Sequence, residues 1–211
     1  MATPAHADSV AFDPVGDFLP TYVGPQNGDL DVISTSVSLS GTNFLFSATM
    51  NGQIGTTPLG FYIWGVDRGA GAMTANFAQL GLPNIVFDSV IRINNNGTGL
   101  VNLLVPGGPP VMTPLPMQNI TISGNTFQVV VPLSFLPSRG FSPDQYGQNL
   151  WPRWGGIPMS DPQISDFAPN DRNAGVNVIP EPTTMLLLGT GLAGVAMKVR
   201  KRRKVNANHS A

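Results

Sequence analysis

Short β-favouring runs separated by clusters of turn residues make up most of residues 8–179. Residues 31–40 end in an alternation of Val37 and Leu39 with serines, and a period of two is typical of a strand with one buried face. Residues 60–66 are continuously apolar, which suits a strand buried on both faces. Several short strands with regular turn signals favour an antiparallel β-sandwich or a jelly-roll-like domain. We therefore predict an all-β fold with about eight strands.

Turn residues predict three hairpins in this domain. The paired runs are 31–40 with 43–50, 85–93 with 99–105, and 119–123 with 126–133. Residues 137–179 are rich in Pro, Gly, Asn and Asp and contain few strand-like runs. We expect this segment to wrap one edge of the sandwich. The predicted domain covers residues 8–169, and residues 170–179 are predicted to form a linker.

The charge is distributed unevenly along the 211 residues. Six of the 11 basic residues form a cluster near the C-terminus: Lys198, Arg200, Lys201, Arg202, Arg203 and Lys204. Residues 1–182 contain five arginines against 12 acidic residues, which is a net charge of −7 hidden behind the overall −1. A body of this sign repels phosphate backbones, so nucleic acid is excluded as a partner.

Missing residue types exclude most enzyme classes for the body. The chain has no Cys, its two histidines are His6 and His209, no Lys precedes Lys198, and its one Glu is Glu181. Residues 8–179 therefore lack a Ser-His-Asp triad, a histidine zinc site and a catalytic lysine. Only acid–base chemistry by Asp stays open, as in a glycosidase with two carboxylates. We expect a protein that is not an enzyme.

Residues 183–197 form an uncharged apolar run directly before the basic cluster. A helix of this length reaches about 22 Å, which is less than the roughly 30 Å of a bilayer core. The run has no polar face, and the cations of residues 198–204 would stay on the cytoplasmic side. We predict a single hydrophobic membrane helix over 183–197 and a polar tail over 205–211. The alternative is a buried core helix followed by a solvated basic tail.

Three features in a fixed order resemble the PEP-CTERM sorting signal of Gram-negative bacteria. Pro180-Glu181-Pro182 comes first, followed by the apolar run 183–197 and the basic cluster 198–204. The resemblance implies export, transient retention in the inner membrane, recognition by an exosortase and removal of the tail. It also implies delivery to the cell surface or extracellular matrix in association with exopolysaccharide. On this interpretation the chain is a substrate of the sorting enzyme.

The first residues resemble the end of a secretory signal peptide. Ala5-His6-Ala7 fits the small-x-small cleavage pattern, and Asp8 would be the first residue after cleavage. An exported protein also needs an apolar segment before this pattern. We therefore expect residues 1–7 to be the remnant of a longer signal peptide. The alternative is a leaderless protein in which the pattern is incidental.

Aspartates near the start of the domain suggest a structural metal site. Short carboxylates on loops can ligate Ca²⁺ when several of them converge. The candidates are Asp13, Asp17, Asp29 and Asp31. The alternative is that these residues only form solvated turns and caps. We expect no other cofactor.

Two tryptophans suggest a carbohydrate-binding module as the alternative function. Trp151 and Trp154 lie in a segment rich in Pro and Gly, and an exposed indole ring can stack on a sugar. The competing interpretation is that both rings close a core beneath a long loop.

Overall fold

β-Strands provide most of the regular structure in residues 10–179, the part of the chain that this computed structural model describes. The strands are β1 (Val10–Phe12), β2 (Val32–Ser40), β3 (Asn43–Met50), β4 (Gly60–Asp67), β5 (Ala75–Phe77), β6 (Leu82–Phe87), β7 (Ser89–Asn94), β8 (Gly99–Leu103), β9 (Val111–Leu115), β10 (Ile120–Ser123), β11 (Thr126–Pro132), β12 (Gly147–Trp154) and β13 (Asn177–Val178). Single-turn 3₁₀ helices lie at Gly28–Leu30, Gly71–Met73, Ala78–Leu80, Met117–Asn119, Leu133–Phe135, Pro143–Gln145 and Asp161–Gln163.

Two mainly antiparallel sheets form the framework. The first has the strand order β1-β2-β3-β11-β10, and the second has the order β12-β4-β7-β8-β9. Strand β13 joins the first sheet by pairing in parallel with β2, and β5 and β6 form a small sheet of their own. The predicted antiparallel β architecture is confirmed. The predicted hydrophobic helix over 183–197 lies outside the described residues.

The three predicted hairpins are present. They close on the pairs Ser40–Asn43, Ile93–Gly99 and Ser123–Thr126. Each turn contains a glycine with a positive φ, at Gly41, Gly97 and Gly124. This conformation is strained for residues with a Cβ atom, so the turn chemistry fixes the hairpin register locally.

The inner faces of the two sheets share one apolar core. Trp64 of β4 is fully buried, and its ring centroid lies 5.2 Å from those of Phe46 in β3 and Phe127 in β11. The indole Nε1 donates a hydrogen bond of 2.9 Å to the side-chain oxygen of Gln148. Because Phe46 and Phe127 belong to the first sheet and Trp64 to the second, this aromatic group joins the sheets face to face.

A second apolar cluster covers the outer face of the second sheet. Phe61 and Ile63 alternate along β4 with the inward-facing residues and contribute to this cluster. Phe77 of β5 and Ile85 of β6 pack on the same side. Strand β4 is therefore buried on both faces, which explains the continuous apolar run over residues 60–66.

A buried ion pair divides the predicted strand over 85–93 into β6 and β7. Asp88 lies between these strands and is 1% exposed, and its Oδ1 lies 2.6 Å from Nε of Arg68. Nη1 of Arg68 also donates to the carbonyl of Pro137, at 2.8 Å. The Asp88 carboxylate points inward to the Arg68 guanidinium, and the backbone bends at Asp88, between β6 and β7.

Residues 147–178 contain more structure than their composition predicts. Strand β12 pairs with β4 along its whole length. The free edge of β12 makes bridges at Gln148–Ala174, Leu150–Ala168 and Arg153–Ile164. The folded unit continues to Val178, so residues 170–178 are not the linker that we predicted. Asn173 helps to fix this segment on the domain. Its side chain accepts a hydrogen bond from the Val86 amide and donates one to the Val86 carbonyl, as a neighbouring strand would.

Replacement of Asp88 by Ala should strongly destabilise the domain. The substitution leaves the Arg68 guanidinium buried without its partner, which typically costs about 3–5 kcal/mol of unfolding free energy. The matched control is Asp171→Ala, because Asp171 pairs with Arg172 through side chains that are 70% exposed. That control should cost less than about 1 kcal/mol. Equilibrium unfolding in urea measures both values, and equal losses would contradict the assignment.

Candidate functional site

Two aspartates near the start of the domain meet a third from near its end, beside strand β2. Asp13 directly follows β1, Asp17 lies in the next loop, and Asp166 lies between β12 and β13. One carboxylate oxygen from each residue lies within 4.8 Å of the other two. We call Asp13, Asp17 and Asp166 the acidic cluster.

Backbone pairing brings the members of the acidic cluster together. The amide of Asp13 donates to the carbonyl of Ile33, at 2.9 Å, and extends the pairing between β1 and β2. Asp166 is fully buried, and its Oδ2 accepts a hydrogen bond of 2.8 Å from the amide of Val32. Its Oδ1 accepts from the amide of Phe167, at 2.7 Å. Strand β2 therefore holds both Asp13 and Asp166.

Within residues 10–179, the carboxylates of the acidic cluster pair with no basic side chain. The ion pairs within residues 10–179 join Arg68 to Asp88 and Arg172 to Asp171. Burial raises the pKa of Asp13, the charge of Asp17 raises it further, and a side-chain hydrogen bond with Asp166 offsets part of the rise. Burial also raises the pKa of Asp166, with a second contribution from Asp13. The site therefore favours protonation or cation binding over a state in which all the carboxylates are ionised and unpaired.

The structure groups only part of the predicted calcium set. Asp13 and Asp17 come together as predicted, and Asp31 lies close enough to raise the pKa of Asp13. The Asp31 carboxylate already accepts hydrogen bonds from the amide of Gly16, at 2.9 Å, and from the Asn51 side chain, at 2.8 Å.

Asp29 lies elsewhere and has a structural role. Its Oδ2 accepts a hydrogen bond of 2.7 Å from the amide of Thr57, and its Oδ1 accepts from the hydroxyl of the same residue. Asp166 is not among the aspartates predicted from the sequence. A weak signal was present, because Asp166 is flanked by Ile164 on one side and by Phe167 and Ala168 on the other, and a carboxylate among apolar residues needs a specific partner.

The two tryptophans occupy different environments. Trp151 is 2% exposed, and its ring centroid lies 5.0 Å from those of Phe77 and Phe87. It packs closely over Gly65, where an added Cβ atom would lie 2.3 Å from the indole ring. Trp151 therefore belongs to the core and offers no open face to a sugar. Trp154 is half-buried and packs against the backbone of Gly156.

A groove of about 520 Å³ lies on the outer face of the second sheet. Its lining is mainly apolar and includes Phe61, Phe87, Val90, Leu100, Met112 and Trp151. Arg92 and Arg153 add positive charge, and the Arg92 guanidinium lies 4.2 Å from the ring centroid of Phe61. Burial lowers the pKa of Arg153, Asp161 partly offsets this change, and Arg92 adds to it.

The predicted sorting residues Pro180, Glu181 and Pro182 and the basic residues from Lys198 to Lys204 lie outside the described residues. Comparison with protein-family models matches residues 178–203 to the PEP-CTERM protein-sorting motif. The chain carries a PEP-CTERM sorting motif. The match covers the three predicted sorting residues, the apolar run and the basic cluster as far as Arg203.

The PEP-CTERM motif implies recognition by an exosortase and an exported precursor that passes the membrane and is processed to the cell surface. Comparison of the whole chain with curated proteins finds no significant match. Within residues 10–179, every helix is too short to cross a membrane.

Replacement of Trp151 by Ala should cost much more stability than replacement of Trp154. Removal of a buried tryptophan ring typically lowers the unfolding free energy by about 3–5 kcal/mol. Trp154→Ala should cost half of this or less, because that ring is only half-buried. Urea unfolding of the two variants measures the difference. A greater loss for Trp154→Ala would contradict the core position of Trp151.

Proposed function

We propose that this PEP-CTERM protein is a non-enzymatic protein of the cell surface or extracellular matrix that an exosortase processes during export. The observation that carries the proposal is the motif match over residues 178–203. In this proposal the C-terminal tail is the sorting signal, and the β-domain of residues 10–178 is the part that is exported. In this proposal Pro180-Glu181-Pro182 is the recognition element, and the precursor stays in the inner membrane until the tail is removed.

The length of the apolar run supports a temporary membrane position. A helix over residues 183–197 would be about 8 Å shorter than a typical bilayer core. Snorkelling of Lys198 and Arg200 or local bilayer thinning can close this gap at a modest cost. The basic cluster over 198–204 keeps its side of the tail in the cytoplasm. A weak span with a fixed orientation suits a signal that is removed after it has been recognised.

The composition of the delivered domain supports a role in binding or architecture. Asp, Arg and Tyr are the only ionisable residue types between residues 9 and 179. Arg68 and Asp88 neutralise each other in the interior. The carboxylates of Asp17 and Asp166 are fixed by neighbouring amide groups, which is typical of a structural site. These observations favour a domain that acts through its surfaces.

A second candidate function is saccharide binding in the groove on the second sheet. Arg92 and Arg153 lie beside Phe87, which is partly exposed, and, within residues 10–179, neither arginine makes an ion pair. Arginine recognises carboxylates through paired hydrogen bonds, and aromatic side chains contact sugar rings. The ligand class that fits both features is an acidic polysaccharide, which agrees with the expected association with exopolysaccharide.

Replacement of Glu181 by Ala should block processing in the native host. The variant removes the acidic group of the PEP motif, so full-length precursor should accumulate in the inner membrane. The control is Asp171→Ala, which removes an exposed acidic residue outside the matched motif. Intact mass spectrometry of membrane and extracellular fractions measures the outcome. Normal release of Glu181→Ala with a shortened C-terminus would contradict exosortase recognition through this motif.

Replacement of Arg153 by Met should weaken binding to an acidic polysaccharide. Loss of a charge-assisted hydrogen bond of about 1.5–3 kcal/mol corresponds to at least a tenfold loss of affinity. Polygalacturonate is the probe, neutral dextran is the comparison ligand, and Arg172→Met is the control for an exposed arginine elsewhere. Affinity electrophoresis compares the retardation of each variant. Equal retardation by both polysaccharides, or an equal effect of Arg172→Met, would exclude this groove.

A further inference from the structure

The spacing within the acidic cluster matches the distance that one metal ion can bridge. Oxygens that bind the same Ca²⁺ lie about 2.3–2.6 Å from it, so two such oxygens are at most about 4.6–5.2 Å apart. The ligand atoms of Asp13, Asp17 and Asp166 lie within 4.8 Å of one another. One ion can therefore contact all three residues with little movement of the side chains.

Unpaired buried oxygens provide an independent sign of a missing ligand. Asp13 is 9% exposed, and its buried Oδ2 has no hydrogen-bond partner. Oδ1 of Asp17 is also buried and without a partner. Most buried polar atoms in proteins are hydrogen bonded, so two orphan carboxylate oxygens in one cluster need an explanation. A cation between them would satisfy both.

Neighbouring groups hold the carboxylates of Asp17 and Asp166 in place. The side chain of Asn170 donates to Oδ2 of Asp17, at 2.7 Å, and leaves Oδ1 free for the cluster. The amides of Val32 and Phe167 fix the two oxygens of Asp166. In established metal sites, hydrogen bonds of this kind orient the side chains that ligate the metal. Two of the three carboxylates in the acidic cluster are therefore oriented before any ion arrives.

We propose that Asp13, Asp17 and Asp166 bind one Ca²⁺ ion, which ties the loop after β1 to the segment between β12 and β13. Calcium fits better than magnesium because it accepts irregular oxygen sets, whereas magnesium needs near-octahedral geometry. Half-exposed Asp17 leaves a side on which water can complete the coordination shell. The proposal is independent of the sorting function.

A bound ion would stabilise the native domain by connecting its two ends. The ligands span residues 13 to 166, so the unfolded chain would have to close a very long loop to offer the same site. An ion that binds only the folded state raises its stability in proportion to the logarithm of ion concentration. At a hundred times Kd, the midpoint of thermal unfolding should rise by roughly 5–10 °C.

Calcium titration of the full-length chain in mild detergent tests the proposal. The protein is first treated with EGTA, and CaCl₂ is then added in an isothermal titration calorimeter. We expect one ion per chain, with Kd of about 10⁻³ M or tighter, as in extracellular calcium modules. Thermal unfolding in EGTA and in excess CaCl₂ should show the upward shift. The absence of both a binding heat and a shift would overturn the proposal and would favour a proton shared by the carboxyl groups.

Asp13→Asn is the decisive variant, and Asp144→Asn is its matched control. Asp13→Asn removes one ligand charge and should reduce calcium affinity at least tenfold. In EGTA it should unfold at the same temperature as the wild type or higher, because repulsion within the cluster is relieved. Asp144 is exposed and distant in sequence from the cluster, so its variant should respond to calcium like the wild type.

Three results for the variants would overturn the assignment of these ligands. The first is wild-type calcium affinity in Asp13→Asn, and the second is an equal loss of affinity in Asp144→Asn. The third is an unchanged calcium response in Asp166→Asn. If an Asn variant does not fold, the wild-type comparison between EGTA and CaCl₂ still decides whether the ion binds.

Discussion

Burial of β4 on both faces is the constraint on which the rest of this domain depends. Its inward residues, centred on Trp64, join the two sheets, and its outward residues Phe61 and Ile63 carry the second apolar cluster. Strands β12 and β7 pair on either side of β4. A strand that is enclosed in this way keeps its register, because a slip of one residue would exchange every side chain between two different cores. The outward-facing residues Phe61 and Ile63 also line the groove on the second sheet.

The carboxylates of the acidic cluster repel one another at the point where the two ends of the domain meet. Hydrogen bonds from the amides of Val32 and Phe167 offset part of the cost of burying the Asp166 carboxylate. Asp13 and Asp17 each keep one buried oxygen without a hydrogen-bond partner. Proteins retain such arrangements where a ligand, a proton or a switch makes use of them. In an exported protein, a divalent cation would join the ends of the domain after it leaves the cytoplasm. The domain has no cysteine with which to make a disulfide for this purpose.

Local features of the fold could be predicted from the sequence, whereas long-range features could not. The hairpins follow from turn residues such as Gly41, Gly97 and Gly124, whose positive φ angles act within a few positions. Strand β12 was missed because its partner β4 lies far away in the chain and its own sequence includes Gly147 and Pro152. The acidic cluster was predicted only in part for the same reason. Asp13 and Asp17 are near neighbours, but Asp166 reaches them through tertiary packing, and the sequence around Asp166 does not indicate which residues it meets.

Strand β13 determines what the domain loses when its tail is removed. This strand pairs with β2 through Asn177 and Val178, and the folded unit ends there. A cut on the C-terminal side of Val178 breaks none of the paired strands in the described domain. Removal of residues beyond Val178 would therefore leave every strand pairing of residues 10–178 in place.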